Sequence, residues 1–274
     1  MIKIFKILKE VLSNMQLAWL VARSNKKALF KEHRFGIVWE YLNPLIQIGM
    51  WGLVFGVIRG RGGVEVGRNS VPFIPWMLVG MTAWGFMNGG VKRGGVSVLK
   101  KKTSLLKVEH PLSVLPLISI FNKLSTYFVL LFFTLLILFV TGFMPTLYWL
   151  KFSYYFIAML IFVYFFALLN STIILVFPDY ENILNPIMRL FFFFSGPIWR
   201  IHGIDGIPSW FIRLMDLTPF SYIITGFRHV FFGDGFFREG WLITTAAFWL
   251  VVLFIAIIAS HCHLKMREKF IKPM

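Results

Sequence analysis

The chain has 274 residues, of which 58% are hydrophobic and 15% are charged, and its formal net charge is +16. Soluble domains carry about 25% charged residues, so the composition excludes a water-soluble globular protein and indicates an integral membrane protein. Most of the basic residues lie outside the apolar stretches, which favours contact with lipid head groups over nucleic acid. A single cysteine, Cys262, excludes an internal disulfide framework.

The first 35 residues predict an amphipathic helix. Apolar residues recur at helical spacing between Ile4 and Trp19, while Lys3, Lys6 and Lys9 fall on the other face. This pattern favours a helix that lies in the plane of the membrane interface. A helix that packs on a partner protein is the alternative. Neither an uninterrupted apolar core nor a small-residue cleavage site is present, which argues against a cleavable signal peptide.

Six later stretches approach the roughly 20 apolar residues that a helix needs to cross the hydrocarbon core. The first is interrupted by Asn43, Pro44 and Gln47, and the third is longer than a membrane requires. Gly85 and Gly89, four residues apart, have the spacing of a close helix-packing pair. The six predicted spans are residues 38–58, 72–91, 112–141, 154–177, 183–199 and 241–262.

The predicted fold is therefore an all-α integral membrane protein with six transmembrane helices and an amphipathic, interfacial amino-terminal helix. Lys and Arg are concentrated in residues 1–40 and 92–110 and in the carboxyl-terminal tail. The positive-inside rule then places both termini in the cytoplasm of a plasma-membrane protein. The predicted organisation is an interfacial region at 1–35, a transmembrane domain at 36–264 and a basic cytoplasmic tail at 265–274.

The segment between the fifth and sixth spans is rich in Pro, Gly and aromatic residues. Residues 208–217 and 220–232 each predict a short amphipathic helix that cannot span the membrane. A re-entrant outer hairpin fits this pattern, and an external surface loop is the alternative. The basic residues of this segment are Arg200, Arg213 and Arg228. They are expected to meet substrate phosphates, and pairing with Asp205 and Asp216 is the alternative.

The motifs of an energy-coupling site are missing from the sequence. No G-x-x-x-x-G-K-[ST] loop is present, so any ATPase must be a separate polypeptide. No paired His, Cys or Glu constellation predicts a catalytic or metal site, and no carboxylate lies centrally in a predicted span. The ionisable residues within the spans are Lys123 and Arg189, which favour an anionic substrate. Snorkelling of both side chains to the interface is the alternative.

Four segments carry a resemblance to a known family, the ABC-2-type polysaccharide exporters. Residues 34–44 (RFGIVWEYLNP) resemble the family's signature at the start of the first span, with Phe35 in place of the usual Leu. The other three segments also depart from the family pattern at one residue each. Residues 105–111 are similar to the family's cytoplasmic motif but have His110 in place of Phe. Residues 177–180 are similar to its cytoplasmic hairpin but have Pro178 in place of Arg. Residues 217–228 are similar to its N-P…F-R run but have Thr218 in place of Asn.

The resemblance implies a homodimer of permeases bound to two ATPase subunits. ATP and magnesium would sit on the partner, so no cofactor is expected in this chain. It also implies that the amino-terminal helix touches the ATPase and that a short coupling helix within 98–110 docks on it. The expected coupling residues are Lys100, Lys101, Lys102, Leu105, Lys107, Glu109, His110 and Pro111.

Among family members the chain resembles the wall teichoic acid permeases, because of its Phe-rich fifth span and the lysines at 100–102. The implied substrate is an undecaprenyl-linked anionic polymer. The alternatives are an ABC-2 exporter of O-antigen, capsule or a drug, and an ATP-independent lipid scramblase or channel. The residues expected to line the substrate entry and path are Arg34, Trp39, Glu40, Lys123 and Arg189.

Overall fold

The computed structural model describes residues 2–32, 36–59, 63–66, 69–101, 111–199, 206–233, 235 and 240–271. These residues are almost entirely helical, and a 3-10 turn at Leu147–Leu150 leads into the seventh helix. The helices are α1 (Ile2–Ser13), α2 (Met15–Glu32), α3 (Gly36–Arg59), α4 (Phe73–Gly95), α5 (Ser97–Lys101), α6 (Val114–Val140), α7 (Lys151–Val176), α8 (Tyr180–Ser195), α9 (Ser209–Asp216), α10 (Pro219–Phe232) and α11 (Trp241–Ile271).

Three segments of the described chain are long and apolar enough to cross a membrane. They are α6, the 3-10 turn together with α7, and α11 as far as Arg267. α3 and α4 have 24 and 23 residues, which is a spanning length, whereas α8 has only 16. The count of six spans therefore stays a prediction, although each predicted stretch is helical. The last helix also continues to Ile271, into the segment predicted as a separate basic tail.

Two local predictions were wrong. Asn43 and Pro44 were expected to interrupt the first span, but Pro44 lies inside the continuous helix α3. A proline removes one backbone donor, and helices within membranes tolerate this loss where neighbouring groups satisfy the freed carbonyl. The all-α prediction also missed an antiparallel pair, β1 (Gly63–Val66) with β2 (Asn69–Pro72). Val64 faces Val71 in its register and both are buried, which accounts for this short hairpin.

α4 lies at the centre of the bundle and packs on both α6 and α7. Its close contact with α7 depends on Gly90 and Gly94. A Cβ atom at Gly90 would lie 2.7 Å from Cγ1 of Val163, and one at Gly94 would lie 2.7 Å from Cβ of Ala167. The glycine pair that allows close packing is therefore Gly90 and Gly94 rather than the predicted Gly85 and Gly89.

One end of the bundle, called here the basal end, is formed by α1, α5, the turn between α7 and α8, and the last turns of α11. Glu10 of α1 accepts hydrogen bonds there from Ser113 (2.8 Å) and Arg267 (2.6 Å). Ile7 and Val11 of α1 are buried, whereas Phe5 remains exposed. The amino-terminal region is therefore helical and amphipathic, as predicted, but it consists of two helices that meet at Asn14.

The opposite end, the distal end, carries β1, β2, α9 and α10. α10 begins deep within the bundle, because the ring of Phe220 lies 4.9 Å from that of Phe162 and 6.0 Å from that of Phe166. Both partners are in the middle of α7. The Thr218 hydroxyl accepts the backbone N–H of Ser221 (3.3 Å), and Pro219 occupies the first helical position. The buried start of α10 is thus capped by its own sequence.

A basic cavity between three helices

A cavity of about 350 Å³ lies between α3, α4 and α8. α6 contributes to its wall through Leu130. The side chains fall into a polar group and a larger apolar group, which is the usual composition of a ligand site. The polar residues are Gln47, Asn88, Lys92 and Arg189, and the others are Pro44, Ile48, Met81, Trp84, Gly85, Leu130, Met188, Phe192 and Phe193.

One face of α4 supplies much of this wall. Met81, Trp84, Asn88 and Lys92 recur at intervals of three to four residues, so a helix presents them on one side. Gly85 belongs to the same face, and apart from the backbone of its own helix no atom of the described residues lies within 4 Å of the position that its Cβ would take. The cavity therefore passes directly over the α4 backbone at this glycine.

Two cations line the cavity and no carboxylate does, among the residues that the structure describes. Lys92 is in the last turn of α4 and is partly buried, while Arg189 projects from α8 and is exposed. Arg189 is close enough for its charge to act on Lys92. Neither forms an ion pair or hydrogen bond with another described residue. Like charges held this way disfavour each other unless an anion lies between them.

An amide with unused hydrogen-bonding capacity completes the polar part. Oδ1 of Asn88 is buried and has no hydrogen-bond partner among the described residues. Such an atom costs free energy unless a ligand or water satisfies it. Gln47 adds a second amide from α3. Two cations and two amides thus face one space from three helices.

Aromatic rings close the end of the cavity farther from Lys92. The rings of Trp84 and Phe192 meet edge to face at a centroid distance of 5.5 Å. Trp84 also lies 5.5 Å from Phe220, at the deep start of α10. The rings therefore connect the cavity wall to the α9–α10 hairpin.

The described residues that were predicted to line the substrate path lie in different places in the structure. Arg189 lines the cavity, whereas Lys123 does not. The stem of Lys123 lies across α4 instead, with Cε 3.1 Å from the position of a Cβ at Gly89. Trp39 is exposed on α3. Arg34 and the side chain of Glu40 lie outside the described residues.

Arg213 and Arg228, two of the arginines predicted for the outer hairpin, occupy different environments. Arg228 is buried and donates to the carbonyl oxygens of Trp76 (3.3 Å), Gly196 (2.9 Å) and Pro197 (2.7 Å). These partners differ from the phosphates and aspartates expected from the sequence. Arg213 is exposed in the last turn of α9, and Arg200 lies outside the described residues.

Most of the predicted coupling segment also lies outside the described residues, which exclude 102–110. The described part is α5, a single helical turn and a half that includes Lys100 and Lys101, together with Pro111 before α6. α5 contacts both α6 and α7 at the basal end.

Sequence reasoning missed Lys92 and Asn88. Lys92 was grouped with the basic loop that follows the second span, because the predicted span ended at residue 91. The available signal was the spacing of Trp84, Asn88 and Lys92, which places both polar residues on the aromatic face of one helix.

The family of the chain follows from comparison with known proteins. The model of the ABC-2 type transporter family matches residues 15–232, so the chain belongs to that family. Its membrane subunits do not hydrolyse ATP themselves and work with an ABC ATPase partner. The match covers α2 to α10, and therefore includes every helix that lines the cavity.

Particular relatives are permeases of polysaccharide export. The chain is 22% identical over 228 residues to the O-antigen export system permease protein RfbA of Myxococcus xanthus, covering 83% of this chain and 84% of that protein. It is 24% identical over 216 residues to the protein of the same name from Klebsiella pneumoniae, covering 77% and 79%.

Proposed function

We propose that this chain is the permease subunit of an ATP-driven exporter that moves a lipid-linked anionic polysaccharide out across the plasma membrane. The observation that carries the proposal is the cavity with two cations, Lys92 and Arg189, in the membrane domain of an ABC-2 family member. A cation costs about 2.5–3.5 kcal/mol at the centre of a membrane helix and less near a helix end, where Lys92 lies. An anionic substrate accounts for keeping two of them together.

The proposed topology has six spans with both termini in the cytoplasm. The basal end then faces the cytoplasm, and α5 with the segment that follows it meets the ATPase. The depth of Phe220 beside the middle of α7 supports a re-entrant α9–α10 hairpin at the outer side. The capped start of α10 suits such a hairpin, because backbone groups within a membrane must be satisfied internally.

The proposed assembly has two copies of this chain and two ATPase subunits. Exposed apolar side chains on α3 and α8 would face either lipid or the second copy, including Met50, Leu53 and Leu190. We infer that these helices border the route between the two permeases. ATP and magnesium belong to the partner in this scheme.

Wall teichoic acid is the polymer that we propose for this exporter. The support for it is the Phe-rich helix α8, which resembles the fifth span of that subfamily. O-antigen is the second candidate, and the names of the relatives favour it. Both would reach the cavity on a lipid anchor in this proposal, so the cavity itself does not separate them.

Depletion of the chain in its own cells tests the proposal. Undecaprenyl-linked polymer is expected to accumulate on the cytoplasmic side, and re-expression of the chain should remove it. The chemistry of the accumulated polymer distinguishes teichoic acid from O-antigen. Normal surface polysaccharide after complete depletion would contradict the proposal.

A further inference from the structure

We propose that Lys92 and Arg189, with the amides of Asn88 and Gln47, form a binding site for the phosphates of a lipid diphosphate. The inference deepens the proposed function, on which it rests for the identity of the lipid. It assigns the cavity to the anchor of the substrate and leaves the polysaccharide chain to the space outside it.

The first support is charge. The two cations belong to helices on different sides of the cavity, and Arg189 acts electrostatically on Lys92. A diphosphate carries more than one negative charge over a few ångströms and so matches both cations at once. The head group of a bulk anionic phospholipid carries one negative charge and matches the pair less well.

The second support is the set of hydrogen-bond donors. Arg189 offers a planar fork of N–H groups and Lys92 offers an ammonium, which are the two cations that proteins use for phosphate. The Asn88 amide has an atom without a partner among the described residues. The Asn88 amide nitrogen forms no hydrogen bond with another described residue, so its N–H groups can donate to a phosphate oxygen.

The third support is size and surroundings. A volume of about 350 Å³ is at the small end of ligand sites and suits a head group rather than a polymer. Phe193 lines the cavity and is 41% exposed, and Leu190 beside it is 54% exposed. An apolar tail can therefore leave the cavity along α8 while the phosphates stay between the cations.

Equilibrium binding to the purified full-length chain in detergent tests the site. The probes are undecaprenyl diphosphate, phosphatidylglycerol and inorganic pyrophosphate. Lys92→Gln and Arg189→Gln are each expected to weaken undecaprenyl diphosphate binding about tenfold, which corresponds to one charge-assisted hydrogen bond. Lys92→Arg should retain most of the affinity. Arg93→Gln, which removes the neighbouring cation that does not line the cavity, is the matched control.

Each arm has a result that overturns the inference. Unchanged affinity in the double variant Lys92→Gln/Arg189→Gln would show that the phosphates bind elsewhere. Equal competition by phosphatidylglycerol would make this a general head-group site, and equal competition by pyrophosphate would make it a site for free phosphate. An unaltered gel-filtration profile and the retained binding of Lys92→Arg show that a loss does not come from misfolding.

The inference and the proposed function fail separately. If the variants bind normally but depleted cells still accumulate polymer, the export function stands and the site assignment is wrong. If binding depends on both cations but depletion leaves the surface polymer unchanged, the site stands and the export function is wrong.

Discussion

The guanidinium carbon of Arg228 lies over the indole ring of Trp76, 3.3 Å from its centroid. The same guanidinium donates to carbonyl oxygens at the start of α4 and at the end of α8. One side chain on α10 therefore joins the distal ends of two helices that line the cavity. The contact with the ring adds a cation–π attraction that is strongest when the cation is desolvated.

Replacement of Arg228 is expected to destabilise the distal end. Arg228→Met leaves carbonyl oxygens of Gly196 and Pro197 without a charged donor, and each such hydrogen bond is worth about 1.5–3 kcal/mol. Thermal unfolding of the purified chain should show a markedly lower midpoint. Arg228→Lys should recover only part of it, because an ammonium cannot present the same planar fork.

Arg213→Met is the control for this experiment, since Arg213 is exposed on the neighbouring helix. Equal loss of stability in the two variants would contradict a special role for Arg228.

Thr218 is expected to act as the amino-terminal cap of α10. Thr218→Asn should keep the stability of the chain, because Asn is also a good capping residue. Thr218→Val has nearly the same shape but no acceptor for the N–H of Ser221, and should cost about 1 kcal/mol. Chemical denaturation in detergent measures the difference. If Val and Asn behaved alike, the hydroxyl would have no capping role.

The glycines of α4 are expected to differ in function. Gly94→Leu should destabilise the fold by about 1–3 kcal/mol, because its side chain would collide with α7 at Ala167. Gly85→Leu should leave thermal stability unchanged and reduce polymer export, because it projects into the cavity.

Gly49→Leu is the control for the cavity. Its Cβ would also meet nothing within 4 Å, and Gly49 does not line the cavity. Normal export by the Gly85→Leu variant would show that the cavity is not part of the transport route.

The ion pair between Glu10 and Arg267 is expected to hold α1 against the basal end. Its side chains are 18% and 31% exposed, so its contribution to global stability is no more than about 1 kcal/mol. The local effect should be clearer. Glu10→Arg should speed hydrogen exchange of the amides of α1, and Glu10→Arg with Arg267→Glu should slow it again.

Glu10→Gln provides a further comparison for this pair. Glutamine still accepts the Ser113 hydroxyl, so exchange should rise less than with arginine. An exchange rate that the double reversal leaves elevated would mean that apolar contacts of Ile7 and Val11 hold α1, rather than the charges.

Helix positions were predictable from sequence because apolar composition and membrane thickness limit where helices can lie. The directions of side chains were not. Lys123 lies within the third predicted span and Lys92 just after the second, yet Lys123 packs across Gly89 and Lys92 lines the cavity. Their difference depends on how α4 and α6 are rotated against each other, and hydropathy carries no such information. Helical spacing would have placed Asn88 and Lys92 with Trp84, but the predicted span ended before Lys92.

The packing of Gly90 and Gly94 and the partners of Arg228 were also not predictable, because they depend on contacts between helices. The contact partners Val163 and Ala167 lie on α7, far from Gly90 and Gly94 in the chain. Arg228 was expected to meet charged groups, because its sequence neighbours give no sign of the three carbonyls that it binds. The resemblance to the family's F-R run singled out Arg228 but did not indicate what its side chain binds.

Reconstitution into proteoliposomes tests whether this chain exports polysaccharide at the expense of ATP. The chain would be inserted with and without its ATPase partner, and transfer of an undecaprenyl-linked polysaccharide across the bilayer would be measured. We expect transfer that requires the partner and ATP hydrolysis and that falls in the Gly85→Leu variant. Equal transfer by the chain alone, without ATP, would contradict this expectation and would identify a scramblase or channel.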